Sequence, residues 1–201
     1  INSFAETKFE KEPKDYFSES IFLKKGLNII YAGNLGRFQG LGSVIKSFSL
    51  IKKYSDIRLI LLGEGEEKEK LKNLSRELEA NVIFVDYVPQ SKSKFIINKA
   101  DLGLVSLTPN IHKYAYPSKF MAYLEQGIPV IGLIEEKSDL AKDIKRNNVG
   151  FVLPLHDHSG LKELLINLKK DFSWKRKLKT NSLKAFEKEF SKDVILPKWE
   201  D

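Results

Sequence analysis

The chain has no cysteine among its 201 residues, so neither a disulfide framework nor a thiolate metal site can stabilise it. That composition suits a reducing, cytoplasmic setting. Histidine is nearly as scarce, with three residues that form no Ser-His-Asp set and no zinc pattern. His156 and His158 stand close together without a third ligand candidate and read as a polar turn, so no metal site is expected. No apolar run reaches the ~20 residues that a membrane-spanning helix requires, and no signal-peptide pattern opens the chain. Neither G-x-G-x-x-G nor a Walker loop occurs, which removes the nicotinamide fingerprint and the P-loop. Internal repeats and low-complexity tracts are also absent.

What is present can bury a normal core: 42% of residues are hydrophobic, and the length suits one domain or a tight pair. The net charge of +7 fits nucleic acid, anionic lipid or a phosphorylated ligand. Much of it is interleaved with acid, as in EGEEKEKLKNLSRELE at 64–79, and reads as a solvated helix face. A denser cluster, WKRKLK at 174–179, suggests contact with a membrane surface or a partner. It lacks the surroundings of a nucleic-acid module, and no nucleic-acid partner is expected.

Short Ile, Leu and Val runs alternate with helical patterns, which predicts repeated βα units and an α/β, Rossmann-like, doubly wound parallel sheet of about six strands. The expected strands are Asn28–Ala32, Ile57–Leu62, Val82–Val85, Leu102–Ser106, Pro129–Leu133 and Gly150–Leu153. The helices expected between them are Leu41–Tyr54, Glu66–Glu79, Lys92–Lys99, Ser118–Gln126 and Asp139–Asn147, with two more at Gly160–Lys170 and Trp174–Phe190. In such a sheet ligands bind beyond the carboxyl ends of the strands, where strand order reverses. The loops after the strands are therefore where a site is expected.

Two of those loops carry distinctive patterns. In YAYPSKFMAYLEQGIPV, at 114–130, Pro117 can occupy the first helical turn without wasting an amide, and Ser118 can accept from the free N–H groups that follow. A helix start of this kind attracts an anion, which Lys119 would hold as a point charge. Phe120, Tyr123 and Leu124 recur at helical spacing and face inward, and Gly127 ends the helix. In GNLGRFQG, at 33–40, Gly33 and Gly36 let backbone amides approach a phosphate or a second domain, although an ordinary βα turn would look similar. After the second strand, Gly63 and Gly65 do the same beside Glu66 and Glu67, which complement a helix dipole.

Together these motifs resemble the C-terminal, donor-binding domain of family 4 retaining glycosyltransferases, one half of a GT-B fold, in the branch that builds bacterial surface polysaccharides. The resemblance runs from about Asn28 to Phe190. It implies that residues 1–26 are the remainder of an interdomain linker and that 27–201 form the donor domain, a missing N-terminal domain presenting a glycan or lipid-linked acceptor. It also implies a nucleoside diphosphate-sugar donor, UDP-linked in the first instance, as substrate and no separate cofactor. The enzyme would act in the cytoplasm, with a peripheral contact at the inner face of the plasma membrane.

Residue by residue, the positions where the family places an Arg and a Lys on the diphosphate are Asn34 and Gln39 here, which leaves Arg37 and Lys119 to neutralise the leaving phosphate. The loops at Gly63–Gly65 and at Val88 would flank the base. The family's two glutamates fall on Tyr114 and Ala122; Tyr114 then either donates to a sugar hydroxyl or packs, and Glu125 either takes the ribose or faces solvent. Glu135 and Ser138 would lie near the sugar ring, and His112 is either a sugar or phosphate contact or a solvated loop residue. Two rival functions share these features: a sugar-nucleotide 2-epimerase of the same fold, and a non-catalytic flavodoxin-like module binding nucleotide or nucleic acid.

Overall fold

Alternate side chains along each strand feed opposite faces of one sheet, which is why the apolar runs carry no polar residue every second position. The structure is a computed structural model and describes residues 21–22, 24–110 and 117–191. Its strands are β1 Leu27–Ala32, β2 Ile57–Leu62, β3 Val82–Val85, β4 Leu102–Ser106, β5 Val130–Leu133 and β6 Gly150–Leu153. The helices are α1 Leu41–Ser49, α2 Lys68–Glu77, α3 Gln90–Asn98, α4 Ser118–Glu125, α5 Asp139–Arg146, α6 His158–Lys170 and α7 Ser173–Ala185. Every strand pairing is parallel and the order is β3-β2-β1-β4-β5-β6, so the doubly wound expectation holds. Order reverses between β1 and β4.

Leu27, Ile29 and Tyr31 of β1 enter a core shared with α1, α2 and α6, while Ile30 enters the opposite core with α3, α4, α5 and α7. β2 divides in the same way, Ile57, Leu59 and Leu61 to one side and Ile60 and Leu62 to the other. Helix α1 buries Leu41, Val44, Ile45 and Phe48, a stripe at helical spacing. Full burial of a side chain such as Phe48 contributes about 1.5–3 kcal/mol, so this stripe fixes α1 against the sheet.

Helix ends account for most departures from the sequence reading. α1 stops at Ser49, and the chain descends through tighter turns, Ile51 N to Phe48 O at 3.1 Å and Tyr54 N to Ile51 O at 2.8 Å, that seat Ile51 in the core. α2 begins at Lys68 because the Glu67 amide is drawn off to Leu35 O, 3.0 Å away in the loop after β1. α3 starts earlier than expected, at Gln90, since Pro89 supplies a preset φ of −53° immediately before it. The final helix gives way at Phe186–Phe190 to a π turn. Within the WKRKLK cluster Trp174 donates to Leu168 O at 3.0 Å and Lys175 pairs with Asp101, leaving Arg176, Lys177 and Lys179 exposed.

The acidic and basic stretch at 64–79 is not wholly a solvated face. Lys68, Leu71 and Ser75 form its buried stripe, and Lys68 is only 6% exposed.

Candidate functional site

β1 and β4 hydrogen-bond as neighbours only around Ile29–Leu102 and Ile30–Gly103, then part. The fork would leave the Ala32 amide without a strand partner. Tyr123, on the inner face of α4, fills it: its hydroxyl accepts from Ala32 N at 2.9 Å and lies 3.3 Å from Ile30 O and 3.4 Å from Leu104 O. The ring packs against Gly103, where any Cβ would stand 2.4 Å from Tyr123 Cδ2. Burial pushes the Tyr123 hydroxyl far above its ordinary pKa, so it acts as a fixed neutral dipole. This strut was read from sequence only as a core position, and it holds the start of α4 over the switch point.

Beyond the fork lies a cavity of about 740 Å³. Ala32, Gly33 and Asn34 form its floor with Leu62, Gly63 and Glu64; Tyr87 and Val88 stand at one end. α3 contributes Gln90, Ser93 and Ile97, and α4 contributes Ser118, Lys119, Ala122 and Tyr123. The floor is backbone packed on backbone: a Cβ at Gly63 would meet Gly33 O at 2.1 Å, and Gly63 has a φ of +142°. Leu35 N to Glu64 O, 2.8 Å, continues this contact between the two loops. Glycine is required there because no side chain fits between the strands' exits.

Lys119 is the charged centre of this wall. Its stem lies along Gly33, its ammonium sits 5.1 Å from the centre of the Tyr31 ring, and no carboxylate pairs with it among the described residues. Burial lowers its pKa below the ordinary lysine value. A half-buried, unpaired cation costs stability unless something of opposite charge arrives. Tyr31, whose hydroxyl is pushed above its ordinary pKa by burial, donates to Asn34 O at 2.7 Å and so holds the glycine loop.

At the start of α4, Pro117 stands just before the helix as its N-cap, with an extended ψ of 116°, and among the described residues no side chain caps this end. The first intrahelical bond joins Phe120 N to Pro117 O at 3.0 Å, so the Ser118 and Lys119 amides precede the helical ladder. Gly127 ends α4 in the left-handed region, φ +66°, as its position suggested.

Several expected site residues stand elsewhere. Arg37 lies in an exposed turn, paired with Glu66 at 3.0 Å, and does not line the cavity. Gln39 turns its side chain back onto Gly36 N, 3.1 Å, and its carbonyl receives the Ser106 hydroxyl, so Gly36 and Gln39 shape the loop without reaching the cavity. Gly65 packs on Leu35 backbone. Glu125 points to α3, where its carboxylate binds Lys94 at 2.8 Å. Ser138 is buried as the cap of α5, accepting from Ala141 N at 3.2 Å and donating to Glu135 O at 2.7 Å. Glu135 accepts from Asn110 N at 2.7 Å, tying the loop after β4 to that after β5. Tyr114 and His112 lie outside the described residues. His156 and His158 bond through Nδ1 to Ser43 and Ser47, at 3.0 and 2.8 Å, and brace the loop after β6 on α1. Among the described residues no cluster of metal-ligating side chains exists.

Sequence reading missed the contribution of α3. Its signal was Pro89, which moves the helix start back far enough to bring Gln90 and Ser93 to the cavity. Lys68 was missed too, although its spacing from Leu71 and Ser75 placed it on the inner stripe.

Comparison with known proteins bears on this arrangement. The profile of the family described as "Glycosyl transferases group 1" matches residues 13–185. The probable glycosyltransferase WbjE of Pseudomonas aeruginosa is 22% identical over 136 residues, covering 67% of this chain and 34% of that protein. A crystal structure of Anabaena HepE in complex with UDP and glucose superposes with a TM-score of 0.76 at 13% identity, over 92% of this chain and 50% of that one. An S. aureus TarM mutant in complex with fondaparinux, alpha-GlcNAc-glycerol and UDP superposes with a TM-score of 0.74 at 15% identity, over 96% and 37%. The C-terminal domain of a glycosyl transferase group 1 family protein, LpcC from Francisella tularensis, does so at 0.69 and 16% identity, over 88% and 91%. The chain thus spans about a third to a half of WbjE, TarM and HepE. The family profile takes in most of the sequence and every element around the crevice, and the chain belongs to the group 1 glycosyltransferase family.

Proposed function

We propose that this chain is the donor-binding domain of a retaining glycosyltransferase that moves a sugar from a nucleoside diphosphate-sugar, UDP-linked in the first instance, to a glycan or lipid-linked acceptor in surface-polysaccharide synthesis. The observation that carries this reading is Lys119, a half-buried cation without a carboxylate partner, standing over a glycine floor at the switch point. A diphosphate supplies the charge that Lys119 lacks. It also accepts from the Ser118 and Lys119 amides at the positive end of α4. Tyr87, 72% exposed at the far end of the cavity, offers a flat face for a base.

The chemical task is to stabilise charge developing on the departing diphosphate. Fixed amides and one ammonium do this without reorganising when the glycosidic bond breaks. The HepE and TarM structures contain UDP, which supports the choice of nucleotide. The acceptor would be presented by a domain preceding this one, residues 1–26 then serving as the link. The cytoplasm, where this cysteine-free composition fits, is the proposed compartment, and the exposed Arg176, Lys177 and Lys179 are a candidate contact with its membrane.

Calorimetric titration of the chain with UDP, GDP and ADP tests the reading. UDP is expected to bind with a Kd in the high micromolar to millimolar range, about −4 to −6 kcal/mol, because one side of the cleft acts alone. Absence of saturable heat to several millimolar for all three nucleotides would overturn it.

A further inference from the structure

A nucleotide presents two neutral features besides its base and phosphates: the paired 2′ and 3′ hydroxyls of the ribose. A carboxylate is the side chain suited to such a diol, since it only accepts and can receive a hydrogen bond from each hydroxyl. Among the described residues lining the cavity, Glu64 is the one that carries a carboxylate. Its setting is built. Glu64 Oε1 receives Lys68 Nζ at 2.5 Å and Tyr87 N at 3.3 Å, which leaves Oε2 without a partner among the described residues.

Lys68 itself is 8% exposed in its side chain, yet both carboxylates it binds, Glu64 and Asp86 at 2.6 Å, are more than half exposed. Burying an ammonium is costly, and its placement here fixes the orientation of two surface acids in adjacent loops. On α4 the neighbouring cavity position is Ala122, which offers no polar atom, and the helix's own carboxylate, Glu125, is held by Lys94.

Resting on the donor-domain reading, we infer that Glu64, oriented by the buried Lys68, is the residue that accepts the ribose hydroxyls of the bound nucleotide. Lys68 is then a positioning residue. The Lys68 hydrogen bond, followed by that from the Tyr87 amide, lowers the Glu64 pKa, so the carboxylate is ionised in neutral solution. For Lys68, burial would lower the pKa, but the hydrogen bonds to Asp86 and Glu64 outweigh it and raise the value.

The test compares UDP with its 2′,3′-dideoxyribose analogue on the 201-residue chain. Glu64→Gln and Glu64→Ala should weaken UDP about tenfold and the analogue less than twofold. Glu125→Gln should change neither. Lys68→Met should reproduce the diol-selective loss, and Lys68→Arg should restore part of it, a pattern that loss of packing alone does not give. Equal losses for both ligands, no loss in either Glu64 variant, or a diol-selective loss in Glu125→Gln overturns the assignment. Wild-type chain that takes up no nucleoside diphosphate fails the donor-domain reading itself, whereas UDP binding that ignores Glu64 leaves that reading standing and removes only this one.

Discussion

Replacing Lys119 by Met separates the cost of the site from its use. The Met side chain keeps most of the stem that lies along Gly33 while deleting the ammonium near the Tyr31 ring. What the fold loses is one cation–π contact, about 0.5–2 kcal/mol. What it gains is relief from a half-buried charge that no carboxylate compensates among the described residues. The two oppose each other, so stability should change by no more than about 1 kcal/mol, a few degrees in Tm at this size. Binding has no such compensation. A charge-assisted bond to phosphate contributes about 1.5–3 kcal/mol, so the UDP affinity should fall roughly 10- to 150-fold while uridine is unaffected. The pH dependence follows from the lowered pKa. Because the unfolded chain binds this proton more tightly than the folded one, wild-type stability rises with pH between the folded and unfolded pKa values, and the Met variant lacks that rise. Over the same range wild-type affinity for UDP falls as the ammonium deprotonates. Calorimetry with both ligands and thermal melts across pH provide the measurements; equal losses for UDP and uridine, or a variant that melts far lower, would show that Lys119 serves the fold and not the phosphate.

Gly63→Ala should destabilise the chain by on the order of 3 kcal/mol, because it adds a Cβ 2.1 Å from Gly33 O at a φ of +142°; a urea midpoint close to wild type would show that the two loops are not packed as described. Tyr123→Phe removes the acceptor of the Ala32 amide at the fork and should cost about 1–3 kcal/mol, with faster amide exchange at Ala32 as its local signature. Ser138→Ala should lower stability by about 1 kcal/mol through loss of the α5 cap while leaving UDP affinity unchanged, and a selective loss of affinity for a UDP-sugar would return Ser138 to the sugar site.

The sheet was readable because its strands are buried on both faces and so appear as unbroken Ile, Leu and Val runs, and β2, β3, β4 and β6 begin and end where those runs do. The placement of Gly33, Gly63 and Lys119 at the crevice was readable for a different reason: each glycine directly follows a strand, Lys119 opens a helix, and the topology brings the strand exits together. Polar side chains in contact across the structure were not. Glu125 and Ser138 are the right residue types at the right distance along the chain, but each is consumed by a partner, Lys94 and the Ala141 amide, that periodicity does not identify. Lys68 shows the converse. In a run of alternating charge it reads as solvated, and only the carboxylates of Glu64 and Asp86, from two separate loops, allow it to lie inside. Tyr123 was placed on the correct face, yet its hydroxyl has a purpose only where β1 and β4 part, which no one-dimensional pattern records.

If the crevice between β1 and β4 holds the diphosphate of a sugar nucleotide, a crystal structure of the chain with UDP will show it. The diphosphate is expected between Gly33 and the Ser118–Lys119 end of α4, within hydrogen-bond reach of Lys119 Nζ, with the base toward Tyr87 and Val88. UDP bound at the pocket beside His156 and His158, or in the crevice with its diphosphate remote from Lys119, would contradict it.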